Sequence, residues 1–429
     1  MNIVRELLVG ATEEELTENR HQYYTSHDGL ERCEVKTIIC ENDYFSGTWE
    51  RYSQDNGQTW GEWRDCQKEA ALMVGTDEIV NNPVKDVLWN PVHHHYVGLN
   101  MQRIFINGHT EAYQRYWKYG ENSFKDHIYL VVRKENEQKG KQYFVKYEDG
   151  DDFDINNVRN ERYLNFNQAF YGNIVVLDNG DIAFPLAAPV TACCRKLGIG
   201  PSTIFPSCPD IVYGLIVARG VWNKATQQYD LSFSKPVVIS DLKSSRGVDE
   251  PVIEQLESGR LIVVFRGSNI SSPNWNTRIE PGTPGHKWFT YSDNEGQTFT
   301  DPVPWHYDTG EVIYSPASIG AFVKSEKSGK LFWVGNITGP EVHGNYPRFP
   351  LNIVEVDQQY GLPIRKTMTV IDTKKPEDSD MTQFSSYFYF LQDRCTGMIE
   401  LYVSKIGQYS QNDVHSWRGE AWRYHIDPR

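Results

Sequence analysis

The sequence lacks the patterns typical of zinc-binding, secreted or membrane-spanning proteins. Its seven cysteines form an odd set with no repeated spacing and no CxxC pair, so we predict no zinc ribbon. Residues 1–20 carry five acids and only a short Leu-Leu-Val run, which is typical neither of a signal peptide nor of a membrane span. We therefore expect a soluble, cytoplasmic protein with reduced cysteines, and we interpret the adjacent Cys193 and Cys194 as small buried or loop residues.

An excess of basic charge is also missing. The chain has 57 acidic and 43 basic residues and a formal net charge of −14, with no basic stripe to offset it. This balance argues against nucleic acid or an anionic membrane as a partner. It remains compatible with a local pocket of arginines, because a binding site depends on its few nearest charged groups.

Aromatic residues are abundant, whereas only 39% of the chain is hydrophobic. The 12 tryptophans and 25 tyrosines fit many short, two-faced strands better than a helical core. Exposed aromatic rings are also a common platform for stacking on sugars, and Trp275 is our candidate for such a contact.

Two eight-residue segments carry the same turn pattern, residues 53–60 (SQDNGQTW) and residues 292–299 (SDNEGQTF). In the first, Ser53 and Asp55 are placed to bond nearby backbone N–H groups, and Gly57 can supply the positive φ of a tight turn. A weaker copy spans residues 146–153 (KYEDGDDF). These segments resemble the Asp-box of sialidase-like β-propellers.

A second repeat consists of an apolar strand, a turn with Gly, and another apolar strand. Its glycines fall at 29, 180, 259, 329 and 397, with spacings of 151, 79, 70 and 68, and 151 is about twice the unit length. We therefore predict six units and place a degenerate copy near residue 104, where residues 95–106 have a two-strand apolar pattern. Four strands fit each unit, so the predicted fold is an all-β, six-bladed β-propeller of four-stranded antiparallel blades, forming a single domain over residues 1–429.

Outside the repeats, three segments need their own interpretation. We predict a short helix or extension within residues 1–19. Residues 89–124 form a longer segment than the strands of one blade require. Residues 188–210 are predicted to be a long loop at the rim of the propeller.

The resemblance to sialidases extends to candidate site residues. Asp249-Glu250-Pro251 precedes the Gly259 hairpin, and Arg266 and the second Asp-box follow it, in the order found in that family. By resemblance, Glu250 is the base that serves a nucleophile, and Arg266 is one of three arginines that bind a sugar carboxylate. Arg is the fitting residue because its planar guanidinium pairs with a carboxylate bidentately. Arg348, in a Gly- and Pro-rich segment, is the candidate for another of these arginines.

The remaining family positions match less well. Arg20 stands where the family has an Arg-Ile-Pro motif, but Ile and Pro are absent. Asp43 precedes the first Asp-box and is our candidate for the general acid/base. The family's nucleophilic tyrosine aligns with Phe384, which has no hydroxyl, so Tyr387 is the alternative nucleophile and direct attack by water also remains open.

Histidines suggest a different chemistry. In the segment His93-His94-His95, two same-face histidines could bind a metal with a third ligand, or one could act as a proton-transfer base. With Tyr113 and a nearby arginine, His94 and His95 would suit β-elimination on a uronate; ordinary packing is the other interpretation. We predict no metal and no cofactor.

The sequence thus predicts an exo-acting, sialidase-like glycoside hydrolase that cleaves a terminal acidic sugar from a glycan or oligosaccharide. The alternatives are a lyase acting on uronate-containing glycans and a carbohydrate-binding propeller without catalysis.

Overall fold

The computed structural model describes residues 1–14, 16–41, 44–66, 71–82, 88–119, 123–135, 137, 139–206, 212–270, 277–384, 388–411 and 416–429. Within these residues the chain has the all-β fold that was predicted, the six-bladed β-propeller class built from antiparallel sheets. Four sheets have four strands, one has five and one has six.

The strands are numbered along the chain. The first eleven are β1 (Asn2–Val9), β2 (Thr17–Tyr24), β3 (Arg32–Glu41), β4 (Tyr44–Ser53), β5 (Arg64–Asp65), β6 (Leu72–Val74), β7 (Asp77–Asn82), β8 (Leu88–Asn90), β9 (His95–Phe105), β10 (Phe124–Lys134) and β11 (Lys141–Phe144). The next nine are β12 (Phe170–Tyr171), β13 (Val175–Val176), β14 (Ile182–Pro189), β15 (Tyr213–Asn223), β16 (Gln228–Phe233), β17 (Asp249–Gln255), β18 (Leu261–Arg266), β19 (Lys287–Ser292) and β20 (Val303–Pro304). The last seven are β21 (Ala321–Lys324), β22 (Leu331–Asn336), β23 (Leu351–Val356), β24 (Thr369–Asp372), β25 (Phe388–Gln392), β26 (Ile399–Ser404) and β27 (Ala421–Asp427).

Helices are short in the described residues. The α-helices are α1 (His109–Tyr119), α2 (Glu161–Leu164) and α3 (Val190–Leu197), and single 3₁₀ turns span Ile155–Asn157, Pro201–Thr203 and Arg365–Thr367. No helix in the described part of the chain is long and apolar enough to cross a membrane.

Contacts between residues group the chain into two compact units. Unit 1 comprises Met1–Lys68, Pro284–His286 and Trp305–Arg429, and unit 2 comprises Glu69–Thr283 and Lys287–Pro304. Unit 1 holds the sheets β2–β5, β21–β24 and β1-β27-β26-β25, and unit 2 holds the sheets β6–β11, β12–β16 and β17–β20. The single-domain assignment stays a prediction.

The first strand of the chain pairs with the last. β1 lies antiparallel to β27 from Asn2, opposite Asp427, to Val9, opposite Ala421. The predicted helix within residues 1–19 is therefore wrong for residues 2–9. These residues form an edge strand whose backbone N–H and C=O groups are hydrogen-bonded to β27. Local helix propensity does not reveal such a distant partner.

Two other segment predictions also need correction. Residues 95–105 form one continuous strand, not two, and nearly all of it is buried, so its apolar run reflects burial on both faces. Residues 190–197 form α3 instead of loop, with the left-handed Gly198 as its C-cap. Cys193 and Cys194 are buried in α3, as their interpretation required.

The glycine turns were predicted well. Gly180, Gly259, Gly329 and Gly397 have φ between 68° and 83°. They lie in the turns that connect the antiparallel strand pairs β13–β14, β17–β18, β21–β22 and β25–β26. Gly29 occupies the same place between β2 and β3 but is not in the left-handed region, and its N–H instead donates to the Ser26 hydroxyl.

The turns at 53–60 and 292–299 share one hydrogen-bond pattern. In the first, the Ser53 hydroxyl accepts from the N–H of Gly57 (2.8 Å), and Asp55 Oδ1 accepts from the N–H of Thr59 (2.8 Å). In the second, Ser292 accepts from Gly296 (2.9 Å) and Asn294 Oδ1 from Thr298 (3.0 Å). The predicted side-chain bonding is confirmed, and both turns connect the third and fourth strands of their sheets.

Asp55 makes the first turn sensitive to pH. Hydrogen bonds from the hydroxyl and backbone N–H of Thr59 lower the pKa of Asp55 from 3.8 to about 2. The folded-state pKa of Asp55 is below its unfolded value, so the ionised carboxylate stabilises the folded protein. This stabilisation is present above about pH 4 and is lost as the pH falls toward about pH 2.

We expect Tm to fall more steeply between about pH 4 and about pH 2 in the wild type than in Asp55→Asn, as measured by circular dichroism. Asp178→Asn, at an exposed hairpin position, is the control and should keep the wild-type slope. An unchanged slope in Asp55→Asn would contradict this role.

Candidate active site

In unit 2, strand ends from three sheets lie close together. β10 begins beside the end of β9, β15 beside the end of β14, and β17 beside the end of β18, because each pair is antiparallel. Two backbone bridges connect neighbouring sheets at these ends, His127 with Gln168 and Tyr213 with Gly247. We call this region, where β10, β15 and β17 begin, the site end of unit 2.

A cluster of arginines and carboxylates lies at the start of β17. Arg266 Nη2 is 3.0 Å from Asp249 Oδ2, and Arg246 Nη2 is 3.3 Å from the same oxygen. Arg266 Nε is 2.9 Å from Glu250 Oε2. The four side chains are between 7% and 18% exposed, so they are shielded from bulk water but remain within reach of a ligand.

The charges of this cluster stabilise one another. Burial raises the pKa of Asp249, but the positive charges of Arg246 and Arg266 outweigh burial and hold that pKa below its usual value. Burial also disfavours the charged form of Arg266, yet Asp249 and Glu250 raise its pKa above the ordinary value. The cluster therefore keeps its guanidinium groups and the Asp249 carboxylate ionised at neutral pH.

The backbone of Glu250 has an unusual conformation. Its φ is 44°, and the β17–β18 register shifts between Asp249 and Val252. A non-glycine residue in this region costs roughly 1–3 kcal/mol and persists where the surroundings fix it. Here a Cβ added at Gly172 would lie 1.6 Å from the Pro251 carbonyl oxygen, so the segment after Glu250 is held by close backbone packing.

A small pocket of about 10 Å³, with room for no more than about one water molecule, lies where β10 and β15 begin. Its polar lining residues are Asp126 and Gln168, and its other walls come from Phe124, Ala169, Phe170, Pro189 and Tyr213. Tyr213 connects the pocket to the cluster, because its N–H donates to the Arg246 carbonyl and its own carbonyl accepts from Val248.

Arg103 anchors the Asp126 side of the pocket. Its Nε and Nη2 each lie 2.6 Å from an oxygen of Asp126, which is a bidentate pair, and its Nη1 donates to the Tyr113 hydroxyl (3.3 Å). Tyr113 sits on α1 and packs on Phe105 and Phe124 with ring centroids 5.8 and 5.5 Å away. The structure thus places Tyr113 behind Arg103 at the site end.

His94 and His95 lie elsewhere. His95 begins β9, whereas Tyr113 packs against Phe105 at its far end, ten residues or roughly 33 Å away. His94 is exposed on the preceding turn with φ 52°. A lyase centre that combines His94, His95 and Tyr113 is therefore wrong, because an extended strand separates its proposed members.

His95 has a packing role. One ring nitrogen lies 2.9 Å from the Tyr229 hydroxyl, and its ring packs against Trp222 with the centroids 4.2 Å apart and the planes tilted by 36°. Burial lowers the pKa of His95 to about 4. His93, the other member of the predicted same-face pair, has its ring 6.1 Å from that of His95. No group of three His, Cys, Asp or Glu side chains that could hold a metal occurs among the described residues.

The two other predicted arginines belong to unit 1. Arg348 is 9% exposed and donates to the Gln383 side chain (2.8 Å) and to the carbonyl groups of Ala317 (2.8 Å) and Asn345 (3.1 Å). Arg20 pairs with Glu18 (2.9 Å) and lies over the Trp63 ring. Their role as carboxylate ligands stays a prediction.

Three predicted site residues, Asp43, Tyr387 and Trp275, lie outside the described residues. Phe384, at the family's tyrosine position, is fully buried in the core of unit 1. Sequence reasoning missed two residues, Arg246 and Asp126. Arg246 lies four residues before Glu250 and could have been suspected from that spacing, whereas no sequence signal marks Asp126.

Comparisons with known proteins agree with this fold. No family model matches the chain, and no curated protein matches its sequence. Among solved structures, a protein of unknown function from Dyadobacter fermentans is 11% identical with a TM-score of 0.54, each chain covered to 99%.

Two sialidases are also similar in structure. NanB sialidase from Streptococcus pneumoniae is 12% identical with a TM-score of 0.53, over 98% of this chain and 70% of that one. Hadza microbial sialidase Hz136 is 10% identical with a TM-score of 0.51, over 96% of this chain and 66% of that one. The chain therefore has a sialidase-like fold, and at these identities the likeness establishes the fold alone.

We expect Gly172→Ala to lower stability by about 1–3 kcal/mol, because the new Cβ would overlap the Pro251 carbonyl and displace the segment that carries Glu250. Thermal unfolding measures the loss. Gly200→Ala is the control, since the nearest atom to its added Cβ is 3.9 Å away. Equal Tm values for the two variants would contradict the close packing.

We expect His95 to make stability pH-dependent. Its pKa is 6.5 when unfolded and about 4 when folded, so the unfolded chain binds the proton more readily, and stability is lost as the pH falls from about 6.5 to about 4. The loss is at most about 3 kcal/mol. His95→Gln should flatten the dependence of Tm on pH in this range. His94→Asn, on the exposed turn, should leave it unchanged.

Proposed function

We propose that this chain is an exo-acting glycoside hydrolase that removes a terminal acidic sugar from a glycan or oligosaccharide. The observation that carries the proposal is the convergence of Arg246, Arg266 and Glu250 around Asp249 at the site end of unit 2. The sialidase-like fold supports it.

Arg266 and Arg246 are suited to bind the carboxylate of an acidic sugar. Both guanidinium groups are largely buried, where a charge-assisted hydrogen bond is stronger than in water. Asp249 holds both arginines in place before a ligand arrives, so the ligand encounters donors that are already oriented. Arg348 and Arg20 remain further candidates for binding a sugar carboxylate.

Glu250 is proposed as the base or electrostatic partner of the reaction. It is the least buried member of the cluster, at 18% exposed, and Arg266 orients its carboxylate. Asp43 is the proposed general acid/base. Tyr387 is the proposed nucleophile, and direct attack by water with inversion is the alternative, because Phe384 is buried and has no hydroxyl.

A product screen tests the proposal. Purified protein is incubated with sialosides, uronides and keto-acid glycosides in ¹⁸O-labelled water, and products are identified by mass spectrometry. Release of a free acidic sugar that carries the label supports hydrolysis. An ultraviolet-absorbing unsaturated product would indicate a lyase instead, and no turnover of any substrate with retained binding would indicate a binding protein.

With an active substrate in hand, we expect Arg266→Lys to lower kcat/KM by about 100-fold, because lysine cannot reproduce the planar two-donor fork. Glu250→Gln should lower kcat by a similar factor with a smaller change in KM. Arg260→Lys is a matched control, since Arg260 immediately precedes the same strand, pairs with the exposed Asp293 and lies at the opposite end. A loss in Arg260→Lys equal to that in Arg266→Lys would argue against the site.

A further inference from the structure

Asp249 and Glu250 are consecutive residues of β17, yet both contact one arginine. Arg266 Nη2 is 3.0 Å from Asp249 Oδ2, and Arg266 Nε is 2.9 Å from Glu250 Oε2. In a regular strand successive side chains point to opposite faces of the sheet, so two neighbouring carboxylates do not meet at one side chain. The cluster therefore requires an irregular backbone at this place.

The irregularity is a β-bulge at Glu250. The register between β17 and β18 shifts between Asp249 and Val252, so that Glu250 and Pro251 together stand opposite the single residue Phe265. The φ of Glu250 is 44°, whereas the residue before a proline prefers an extended backbone with negative φ. A conformation that is intrinsically unfavourable in this way persists only where other parts of the chain hold it.

Asn173 holds β17 just beyond the bulge. It lies between β12 and β13, and its side-chain amide bonds to both backbone groups of Ile253. Asn173 Nδ2 donates to the Ile253 carbonyl (2.9 Å), and Asn173 Oδ1 accepts from the Ile253 N–H (2.8 Å). Because β17 is the edge strand of its sheet, this amide satisfies backbone groups that no further strand pairs with. The two bonds fix the position of Ile253.

The residues on either side of Glu250 are also fixed. After the bulge, a Cβ added at Gly172 would lie 1.6 Å from the Pro251 carbonyl oxygen, so Pro251 has no room to move in that direction. Before the bulge, the N–H of Val248 donates to the carbonyl of Tyr213 (2.8 Å). With both flanks held, β17 cannot lose the bulge by sliding along β18.

We propose that Asn173 is a positioning residue that maintains the bulge in β17 and thereby directs the Glu250 carboxylate toward Arg266. Without its amide, β17 is free to relax toward a regular register, in which Asp249 still faces Arg266 and Glu250 points to the other face. The effect of Asn173 on catalysis rests on the proposed function, in which Glu250 is the base or electrostatic partner. Its effect on the position of Glu250 does not.

Chemical labelling tests the position of Glu250 without requiring turnover. A water-soluble carbodiimide with an added amine labels accessible carboxyl groups, and mass spectrometry locates each label. In the wild type, Glu250 is only 18% exposed and is paired with Arg266, which protects it. We expect Asn173→Ala to raise the labelling rate of Glu250 at least about 5-fold and to leave that of Asp249 within about 2-fold.

Asn90→Ala is the matched control. Asn90 also bonds to backbone groups through its amide, donating to the Gly180 carbonyl (2.7 Å) and accepting from the His93 N–H (3.1 Å), but it lies beside the start of β9, away from the site end. Asn90→Ala should lower Tm without changing the labelling rate of Glu250. An equal rise in both variants would indicate general loosening and would overturn the inference.

Asn173→Asp is a second variant, with a pH-dependent result. Its protonated carboxyl can donate to the Ile253 carbonyl and accept from the Ile253 N–H, as the amide does, whereas the ionised form cannot donate. We expect the labelling of Glu250 to exceed that of the wild type at about pH 7 and to approach it at about pH 4.5. An excess that is the same at both pH values would contradict the paired hydrogen bonds. This comparison stands if Asn173→Ala does not fold, which circular dichroism shows.

With an active substrate in hand, a positioning role has a specific kinetic effect. Asn173→Ala should lower kcat about 10-fold and leave KM within about 3-fold, because the arginines keep their places while Glu250 is misdirected. Asn90→Ala should leave both constants close to their wild-type values.

The outcomes distinguish this inference from the proposed function. Equal labelling of Glu250 in the wild type and in Asn173→Ala overturns the inference, whether or not the protein hydrolyses a glycoside. Raised labelling without hydrolysis of any glycoside supports the positioning of Glu250 by Asn173 and refutes the hydrolase. Raised labelling with hydrolysis at an unchanged kcat overturns the catalytic effect of this position and leaves the hydrolase standing.

Discussion

The candidate site depends on antiparallel pairing. In an antiparallel sheet the first strand begins beside the end of the second, so residues far apart in sequence meet at one edge without help from their side chains. Asp249 and Arg266 are partners in this way, and Phe124 and Phe105 are partners in a neighbouring sheet. Backbone bridges between sheets then place these ends side by side within unit 2. The backbone pairing thus determines which residues lie close together, and their side chains interact from those positions.

Charge compensation is the second requirement. Buried carboxylates and guanidinium groups are costly to remove from water unless each finds an opposite charge with good geometry. Both ion-pair systems at the site end meet this requirement, Arg266 and Arg246 with Asp249, and Arg103 with Asp126. In the second system the Asp126 carboxylate also lines the small pocket where β10 and β15 begin.

Short sequence patterns predicted much of the architecture. The glycine turns and the Ser–Asx turns carry their own backbone requirements, so a few residues sufficed to locate hairpins and to predict six sheets. The predictions failed where pairing partners were remote. Residues 2–9 fall within the predicted short helix or extension but form a strand, because β27 supplies their hydrogen bonds. The histidine segment suggested a catalytic centre, yet the length of β9 separates His95 from Tyr113.

The sequence by itself determined the sheet class and the turn positions, because these follow from short-range patterns. It also named Glu250 and Arg266 as site candidates, but only the structure shows that they pair. Tertiary structure decided that Arg246 joins them, that Asp126 faces a pocket and that His95 is packed and neutral. The physical reason is that burial and charge compensation depend on the side chains that neighbouring strands and turns bring close. Spacing along the chain does not by itself show which of those side chains become buried together.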